Sequence, residues 1–384
     1  MPLINRCGGG GGTPQLCGQV GNFKVMPGTT ALTAALSWTA PSPDEDNSFV
    51  GARIVRKTGS APTGINDGTV VYEGTALSYT DTGLTAGTTY YYRAFAYNAK
   101  KKYQTEYRVV SLVATTLTIG ATLNDTTWAQ IRAVSDAGIA ASVWSVGDTK
   151  SIVVNGSVYA KSPQGGTTNF KFNNVAVDAF IIGFDHNAAI EGTNRIHFHI
   201  GKQNDKQVGL SSGSGGVASF YMFGNVWSTC GMREDVLGSN KTNASKPGTN
   251  NLLAALPSDL RAVMKTCSKY SVDHSTTIAK TTDILPLLSA IECFGNSAST
   301  IDVAGNYQKQ YDYYKAGNSL LHYLNDGQYI NWSTGIKYTQ MMFLRDCTNF
   351  SSSSTYEWWC VDDGGNEDTD YATSNSLLAP IFFV

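Results

Sequence analysis

Charged side chains are scarce in this 384-residue chain. They make up 15% of it, and 28 basic against 30 acidic residues leave a net charge of −2. The absence of a basic patch argues against a nucleic-acid partner. No apolar run approaches the roughly 20 residues of a membrane-spanning helix, which argues against membrane insertion. The first six residues lack the apolar core of a secretion signal, so we expect synthesis in the cytoplasm unless another export route operates.

Paired cysteines and catalytic motifs are also missing. The seven cysteines are an odd number and none forms a CxxC pair, which argues against a zinc site or a disulfide framework. The chain has no HExxH motif, and no P-loop precedes a predicted helix. We therefore expect a protein that is not an enzyme. Glycine (39) and tyrosine (20) are abundant instead, which is typical of a β-rich protein with many loops.

The first 117 residues divide into a tether and a β domain. Residues 1–21 include five consecutive glycines between Cys7 and Cys17, which indicates a flexible tether or an attachment segment that orders only in a larger assembly. Whether the two cysteines form a disulfide is left open. Residues 22–117 contain short alternating runs separated by turn signals, the pattern of a β sandwich.

One stretch of this β domain is characteristic of a family. Residues 84–98, LTAGTTYYYRAFAYN, closely resemble the fibronectin type III family. Tyr90 stands where that family has its corner tyrosine, and Trp38 stands where it has the core tryptophan of its second strand. The resemblance implies a spacer or adhesion module without catalytic residues.

Residues 118–384 predict an α+β domain. Residues 124–127 supply a helix N-cap, and Gly138 a stop, around a helix that carries Trp128. Strands are predicted at residues 142–148, 151–154, 175–184 and 195–200. A second helix is predicted to start at Pro257, with one apolar face. That face comprises Leu260, Val263, Met264 and Cys267.

The last 45 residues predict the part of the chain that binds a ligand. The pattern predicts three apolar strands that alternate with two polar loops, and the final strand should be paired because chain ends otherwise fray. The loops are dense in Tyr, Trp, Asn, Ser, Asp and Gly, the composition of binding loops. Several aromatics in one polar segment favour binding over a plain surface loop.

Markers spread along this domain resemble one family in their order. They are WSVGD (144–148), IGFDH (182–186), Trp227 with Met232 and Arg233, LP (256–257), LLS (287–289), ECFG (292–295), FLR (343–345) and APIF (379–382). The set resembles the C-type-lectin-like domains of phage and gut-bacterial proteins of uncharacterised function. These are similar in turn to the variable proteins of diversity-generating retroelements. The chain departs at Phe343 and Asp346, where the family usually has Trp and Ser. Both departures are expected near the binding face.

The resemblance implies a stable lectin-like scaffold whose C-terminal region, about residues 318–376, displays a changeable surface. We place the ligand-binding residues there. They are Tyr329, Trp332, Tyr338, Asn349, Tyr356, Trp358, Asp362, Asn366, Asp368 and Tyr371. Neighbouring residues on a strand point to opposite faces. Because Trp359 shares a face with Val361, we predict that Trp358 is the exposed tryptophan.

Other polar groups have simpler explanations. His197 and His199 share a strand face, and a structural role is favoured over a metal site completed by Asp185 and His186. The acidic stretch 362–370 could hold calcium, but a solvated turn is favoured and we expect no cofactor. Arg345 is predicted to be buried and paired with an acid such as Glu292. Cys347 and Cys360 invite comparison with formylglycine-generating oxidases, whose spacing and flanking residues they do not match.

The leading hypothesis is a non-enzymatic receptor-binding protein of a phage particle, exposed on the virion after assembly in the host cytoplasm. Its partners would be a host cell-surface protein or glycan and, through the N-terminal segment, other virion proteins. The alternatives are a bacterial or prophage-encoded carbohydrate-binding adhesin and, third, an oxidase-type enzyme of the related fold. The sequence leaves homo-oligomer formation open.

Overall fold

The structure is a computed structural model. It describes residues 18–28, 32–41, 49–85, 88–104, 108–113, 119–161, 167–203, 206–207, 209–210, 220, 222, 224, 226–273, 277–295, 307–318, 336–337, 342–347, 357–362, 366–371 and 376–384. The chain divides into two compact units, Met1–Thr118 and Ile119–Val384. In the described residues, no helix is long and apolar enough to cross a membrane.

The first unit is built from two antiparallel sheets. Their strands are β1 (Gly21–Pro27), β2 (Ala34–Thr39), β3 (Phe49–Thr58), β4 (Thr69–Gly74), β5 (Ser78–Asp81), β6 (Thr89–Asn98) and β7 (Arg108–Val113). One sheet has the order β1-β2-β5 and the other β4-β3-β6-β7. Buried side chains from both sheets, such as Leu36 and Ile54, share one hydrophobic core. The unit is therefore a β sandwich.

Two aromatic residues of the sandwich occupy the predicted positions. Trp38 is buried in the core on the second strand. Tyr90 lies at the start of β6, and its hydroxyl accepts a hydrogen bond of 3.1 Å from the backbone N–H of Thr85. A tyrosine that bonds back to the chain a few residues upstream is the corner feature of such sandwiches. These positions agree with the fibronectin type III prediction.

The second unit has short helices and longer strands. The helices are α1 (Trp128–Asp136), α2 (Ala140–Val143), α3 (Ala188–Glu191), α4 (Leu252–Ala255), α5 (Ser258–Arg261), α6 (Ala290–Phe294) and α7 (Asp312–Lys315). Helix α1 begins at a capping box in which the Thr127 side chain and Gln130 bond to each other's backbone N–H. It ends before Gly138, which has a positive φ of 70°. Both ends were predicted.

The central sheet of this unit holds the end of the chain. Its strands are β8 (Thr149–Lys161), β9 (Thr167–Phe184), β10 (Ile196–Gln203), β11 (Lys206–Gln207) and β19 (Ile381–Phe383). They run in the order β11-β10-β9-β8, and β19 pairs with β10 in antiparallel register. The terminal residue Val384 is fully buried, and its carbonyl oxygen accepts from Ile196 and Ser135. The prediction that the apolar C-terminus is paired into a sheet is confirmed.

Three smaller sheets are also present in the described part of the unit. Their strands are β12 (Gly209–Leu210), β13 (Cys267–Asp273), β14 (Thr277–Asp283), β15 (Ile336–Lys337), β16 (Met342–Cys347), β17 (Glu357–Val361) and β18 (Glu367–Tyr371). β12 pairs with β15, β13 pairs with β14, and β16-β17-β18 form a three-stranded sheet. Every pairing between these named strands is antiparallel. The described fold is β-rich with few helices.

Several predicted elements differ from the structure. The helix at Pro257 is a single turn that buries Leu260, whereas Cys267 belongs to β13. Residues 140–143 form helix α2 where a strand was expected to begin. The acidic stretch was predicted to be one turn, but its second half pairs with β17 as strand β18. In β13 and β18, pairing with a neighbouring strand overrides the local pattern.

Candidate ligand-binding surface

Strand β16 is the buried strand of the C-terminal sheet, which comprises β16, β17 and β18. All six of its residues are buried. Arg345 is among them, and its Nη1 lies 2.5 Å from Glu292 Oε2. The same guanidinium donates to the carbonyl oxygens of Tyr270 and Leu287 at 2.8 and 2.7 Å. The predicted pairing of Arg345 with Glu292 is confirmed.

The next residue of β16, Asp346, is also internal. Its two carboxylate oxygens accept hydrogen bonds of 2.9 Å from the backbone N–H groups of Val272 and Ala290. Asp346 therefore joins β16 to the β13–β14 hairpin and to the start of α6. This departure from the family pattern does not itself lie on a surface, because the Asp346 side chain is only 2% exposed. Phe343, the other departure, is buried as well.

Glu292 belongs to a larger buried network of charges. Lys269 Nζ lies 2.8 Å from Glu292 Oε1, 2.8 Å from Glu191 Oε1 and 2.8 Å from the Tyr311 hydroxyl. Two cations, including Arg345, thus neutralise two carboxylates inside the core. Burying a charge is costly unless it is paired and hydrogen-bonded, and each of these charges is. The network ties α3, β13, α6 and β16 together under the C-terminal sheet.

The two carboxylates of this network differ electrostatically. Burial raises the pKa of Glu191 above its usual value, and Lys269 only partly opposes this. Burial acts in the same direction on Glu292, but the charges of Arg345 and Lys269 outweigh it and hold the pKa of Glu292 far below its usual range. Glu292 is therefore a firmly ionised anchor, whereas Glu191 is the carboxyl that protonates more readily.

The same region offers a group with metal-ligand spacing. Among the described residues, His186, Glu191 and Glu292 bring one ligand atom each within 4.8 Å of one another. The Lys269 ammonium already bonds both carboxylates, and Arg345 balances the second negative charge. A divalent cation would have to displace Lys269 or leave excess positive charge buried. The residues present do not fit a metal.

The strand histidines are structural, as predicted. His199 Nε2 lies 2.8 Å from the carbonyl oxygen of Ala379, and its Nδ1 lies 2.7 Å from the Tyr314 hydroxyl. The Nδ1 of His197 lies 2.9 Å from the Tyr311 hydroxyl. Burial lowers the pKa of His199 to about 4 and that of His197 well below its usual value, so both rings are neutral at pH 7.

Strands β17 and β18 form the hairpin that carries the described part of the predicted surface. Trp358 lies on β17, but it is fully buried and its Nε1 donates to the carbonyl oxygen of Gly224 at 3.2 Å. The prediction that Trp358 is exposed is wrong. Trp358 shares its face with Cys360, which is also buried. Since cysteine is among the most buried residue types, Cys360 was the signal that could have identified this face.

The opposite face of the hairpin carries the accessible aromatic residues. Trp359 lies opposite Thr369, and Glu357 lies opposite Tyr371. These four side chains share one face, since directly paired residues of an antiparallel ladder do. Tyr371 is 48% exposed, and Trp359 is partly buried against the core. Trp359, and not Trp358, is therefore the tryptophan of β17 that is partly accessible, and the sequence alone did not identify it.

Three polar residues of the predicted set lie at the tip and edge of this hairpin. Asp362 is partly exposed, and its carboxylate accepts from the backbone and side-chain nitrogens of Asn366 at 2.7 and 3.1 Å. Asn366 and Asp368 are exposed. Asp362 is thus used to close the turn. Asp368 also accepts a local bond, from the Thr369 N–H at 2.8 Å.

The remaining predicted contact residues lie outside the described residues. They are Tyr329, Trp332, Tyr338, Asn349 and Tyr356. The structure therefore places four of the predicted residues, Asp362, Asn366, Asp368 and Tyr371, on one hairpin. Trp359 is accessible on the same hairpin, whereas the predicted residue Trp358 is buried.

The two cysteines of the sheet do not form a reactive pair. Cys347 is opposite Trp358, and Cys360 is opposite Phe343. Both thiols are buried. Burial raises the pKa of Cys360 far above its usual value, which disfavours the nucleophilic thiolate.

The comparisons with known proteins address the fold alone. No protein family matches the chain, and no curated protein matches it. Among solved structures, it is similar to a fibronectin type III domain of human fibronectin type III domain containing protein 3, at 19% identity and a TM-score of 0.23, over 28% of this chain and 94% of that one. It is also similar to the sixth such domain of a human protein of that name, at 23% identity and a TM-score of 0.22, over 29% of this chain and 98% of that one. Each likeness covers less than a third of the chain.

Proposed function

We propose that this chain is a non-enzymatic receptor-binding protein whose C-terminal hairpin contacts a host cell-surface protein or glycan. The observation that carries the proposal is the contrast within one sheet. Strand β16 is entirely buried and held by Arg345 and Asp346, while β17 and β18 present Trp359 and Tyr371 beside polar side chains. A rigid support under an aromatic and polar surface is the arrangement that binding sites need, because little ordering entropy is then lost on binding.

The proposal also assigns a role to each part of the chain. The second unit is a C-type-lectin-like display domain, and the sandwich is a fibronectin type III spacer between it and a tether. The setting is the tail or another surface appendage of a phage particle, with the tether contacting other virion proteins. Chemistry of the oxidase type has little support, because Cys360 is buried and the spacing of Cys347 and Cys360 differs from that of those enzymes.

Diversification of the hairpin can be tested without protein. A near-repeat of the 3′ coding end, placed downstream beside a reverse-transcriptase gene, is the expected genetic arrangement. Its absence would remove the diversification claim, while leaving receptor binding to be tested directly.

The direct test uses two tyrosines of similar exposure. Tyr371 lies on the hairpin, and Tyr307 lies elsewhere in the second unit at 41% exposure. Because aromatic anchors commonly contribute 2 kcal/mol or more, Tyr371→Ala should weaken cell binding by about 30-fold. Tyr307→Ala should leave it unchanged. Flow cytometry of the labelled full chain on a panel of gut-bacterial isolates, with circular dichroism to check folding, measures both.

Two outcomes would contradict the proposal. One is equal binding by wild type and folded Tyr371→Ala on every isolate that binds. The other is a loss at Tyr307→Ala as large as at Tyr371→Ala, which would place the site elsewhere. Protease or periodate treatment of the cells then separates a protein receptor from a glycan.

A further inference from the structure

The buried ammonium of Lys269 contacts two carboxylates at once. Its Nζ is at hydrogen-bond distance from two carboxylates, and the side chain is only 1% exposed. The rings of Tyr311 and Phe383 lie 5.1 and 5.4 Å from Nζ, so aromatic surface faces the same atom. A primary amine held against carboxyl groups in a buried site has the arrangement from which an amide can form.

The two carboxyl groups are suited to different roles. Glu292 is fixed by Arg345 at 2.5 Å and by the backbone N–H of Ser289 at 3.1 Å. Glu191 has the Lys269 ammonium at 2.8 Å from Oε1, while its Oε2 lies 3.6 Å from His197 Nδ1. Burial raises the pKa of Glu191, and the pKa of Glu292 is held low by its cations. Carboxyl groups whose environments push their pKa values apart take the acid and base roles in proton transfer.

We propose that the side chains of Lys269 and Glu191 condense into an intramolecular amide cross-link, with Glu292 carrying protons between them. Glu191 is the electrophile, because its neutral form is the more accessible one. Glu292 remains a carboxylate and lies 2.8 Å from the nucleophilic nitrogen, within reach of the proton that it must accept.

The reaction balances without an external reagent. A proton passes along the 2.8 Å hydrogen bond from the Lys269 ammonium to Oε1 of the Glu191 carboxylate, which leaves a neutral amine and a neutral carboxyl group. The nitrogen lone pair attacks Cδ of Glu191, and the bond from Nζ to Cδ forms. Glu292 accepts the second proton from the nitrogen and passes it to the hydroxyl oxygen of Glu191, the bond from Cδ to that oxygen breaks, and the oxygen leaves as water. The products are the amide, one water and Glu292 as the carboxylate that it was at the start. No atom is oxidised or reduced.

The cross-link would join two elements that are distant in sequence. Lys269 lies on β13 and Glu191 ends α3, and they are 78 residues apart. A covalent bond across such a separation restricts the unfolded chain and so favours the folded one. It would also hold β13, against which Asp346 anchors the hairpin's supporting strand. The inference does not depend on the proposed receptor, so either can fail alone.

The mass of the full-length protein tests the cross-link directly. The purified chain, denatured and with any disulfide reduced, should have a mass lower than its sequence mass by one water. Proteolysis and tandem mass spectrometry should then identify a branched peptide joining residues 191 and 269. A full sequence mass would overturn the proposal, as would a branch that joins residue 269 to residue 292.

Variants assign the loss of water to these residues. Lys269→Arg and Glu191→Ala should each have their full sequence mass, whether or not they fold well, because the cross-link cannot form. Glu73→Ala is the matched control, since Glu73 also accepts from a lysine, Lys101, but at the surface. It should keep the loss of one water. If Glu191→Ala still loses water, or Glu73→Ala does not, the bond lies elsewhere and the proposal is wrong.

Discussion

Glu73 in the sandwich and Glu292 in the second unit bind nearly the same set of partners in opposite surroundings. Glu73 is paired with Arg53 and Lys101, and it accepts from the Tyr103 hydroxyl. Glu292 is paired with Arg345 and Lys269, and it accepts from a backbone N–H. The side chain of Glu73 is 24% exposed and that of Glu292 is 1% exposed. Burial is therefore the main variable between them.

The two units place their charged residues in different surroundings. Three of the described ion pairs of the sandwich, Arg53–Glu73, Lys57–Asp67 and Lys101–Glu73, lie at its surface, where water competes with them and each is worth little. The fourth, Arg56–Asp81, is the exception, because its carboxylate is buried. The second unit places Glu191, Lys269, Glu292 and Arg345 inside its core, where removing one partner leaves the others unpaired. Its buried charges fix how the C-terminal strands dock, so the hairpin loops can change without moving their support.

The largest expected effect is the loss of the buried carboxylate. Glu292→Gln removes the negative charge that Arg345 and Lys269 share, and we expect it to cost about 3–5 kcal/mol of unfolding free energy. Urea unfolding followed by tryptophan fluorescence measures this, because six of the seven tryptophans belong to the second unit. A cost below about 1 kcal/mol would mean that the network does not carry the docking of β16.

A second large effect is expected at the buried tryptophan of the hairpin. Trp358→Ala should cost about 3–5 kcal/mol, since it empties a fully buried site under β17. The same unfolding measurement applies, with Trp359→Ala as the neighbouring control on the half-buried face. If Trp358→Ala is as stable as wild type, the assignment of faces in β17 must be reversed.

Trp358 was predicted to be exposed, but Trp359 is the more accessible of the two. This error separates what the sequence could determine from what it could not. The paired C-terminus, the caps of α1, the strands predicted at residues 175–184 and 195–200, and the burial of Arg345 all followed from local patterns. The face of β17 did not, because both faces of its base are covered and Val361 on the Trp359 side is as buried as Cys360 on the other. Alternation separates two faces but does not say which one a distant segment covers.

The buried network could be predicted only in part. An arginine inside an apolar run signals a buried pair, and Glu292 was a reasonable partner for Arg345. Nothing local marks Glu191 or Lys269, which lie on a one-turn helix and on a strand of mixed polarity. Their meeting depends on how α3 and β13 pack, and such tertiary contacts leave no periodic signal in either segment.

A moderate effect is expected on acidification of the second unit. Burial lowers the pKa of His199 to about 4 and that of His186 to about 3, and it lowers the pKa of His197 strongly. The native state then binds fewer protons than the unfolded chain below pH 6.5, so stability falls as the pH falls through this window. Each histidine of pKa about 4 costs about 2 kcal/mol between pH 7 and 5.

Two buried carboxyl groups oppose this trend, because burial raises the pKa values of Glu191 and Asp346 and lets the native state bind a proton first. Glu191 does so only where it is a free carboxyl group, since the amide with Lys269 does not titrate. Urea midpoints between pH 7.5 and 5 measure the balance. His199→Gln, which can still donate to the Ala379 carbonyl oxygen, should have a shallower pH dependence than wild type. A stability that does not fall towards pH 5 would show that the histidines are not held neutral.

The smallest effect on stability is expected in the sandwich. Glu73→Gln removes the charge that Arg53 and Lys101 share, as Glu292→Gln does in the core. Here both cations can turn to solvent, so the cost should stay below about 1 kcal/mol and shrink further when salt is added. The pKa of Glu73 is lowered by its bond from Lys101, so this contribution should also disappear as the carboxyl protonates below about pH 4.5. Differential scanning calorimetry of the full chain, with and without salt, measures the shift in the sandwich transition. A cost equal to that of Glu292→Gln would mean that partners, and not burial, decide what a carboxylate contributes in this protein.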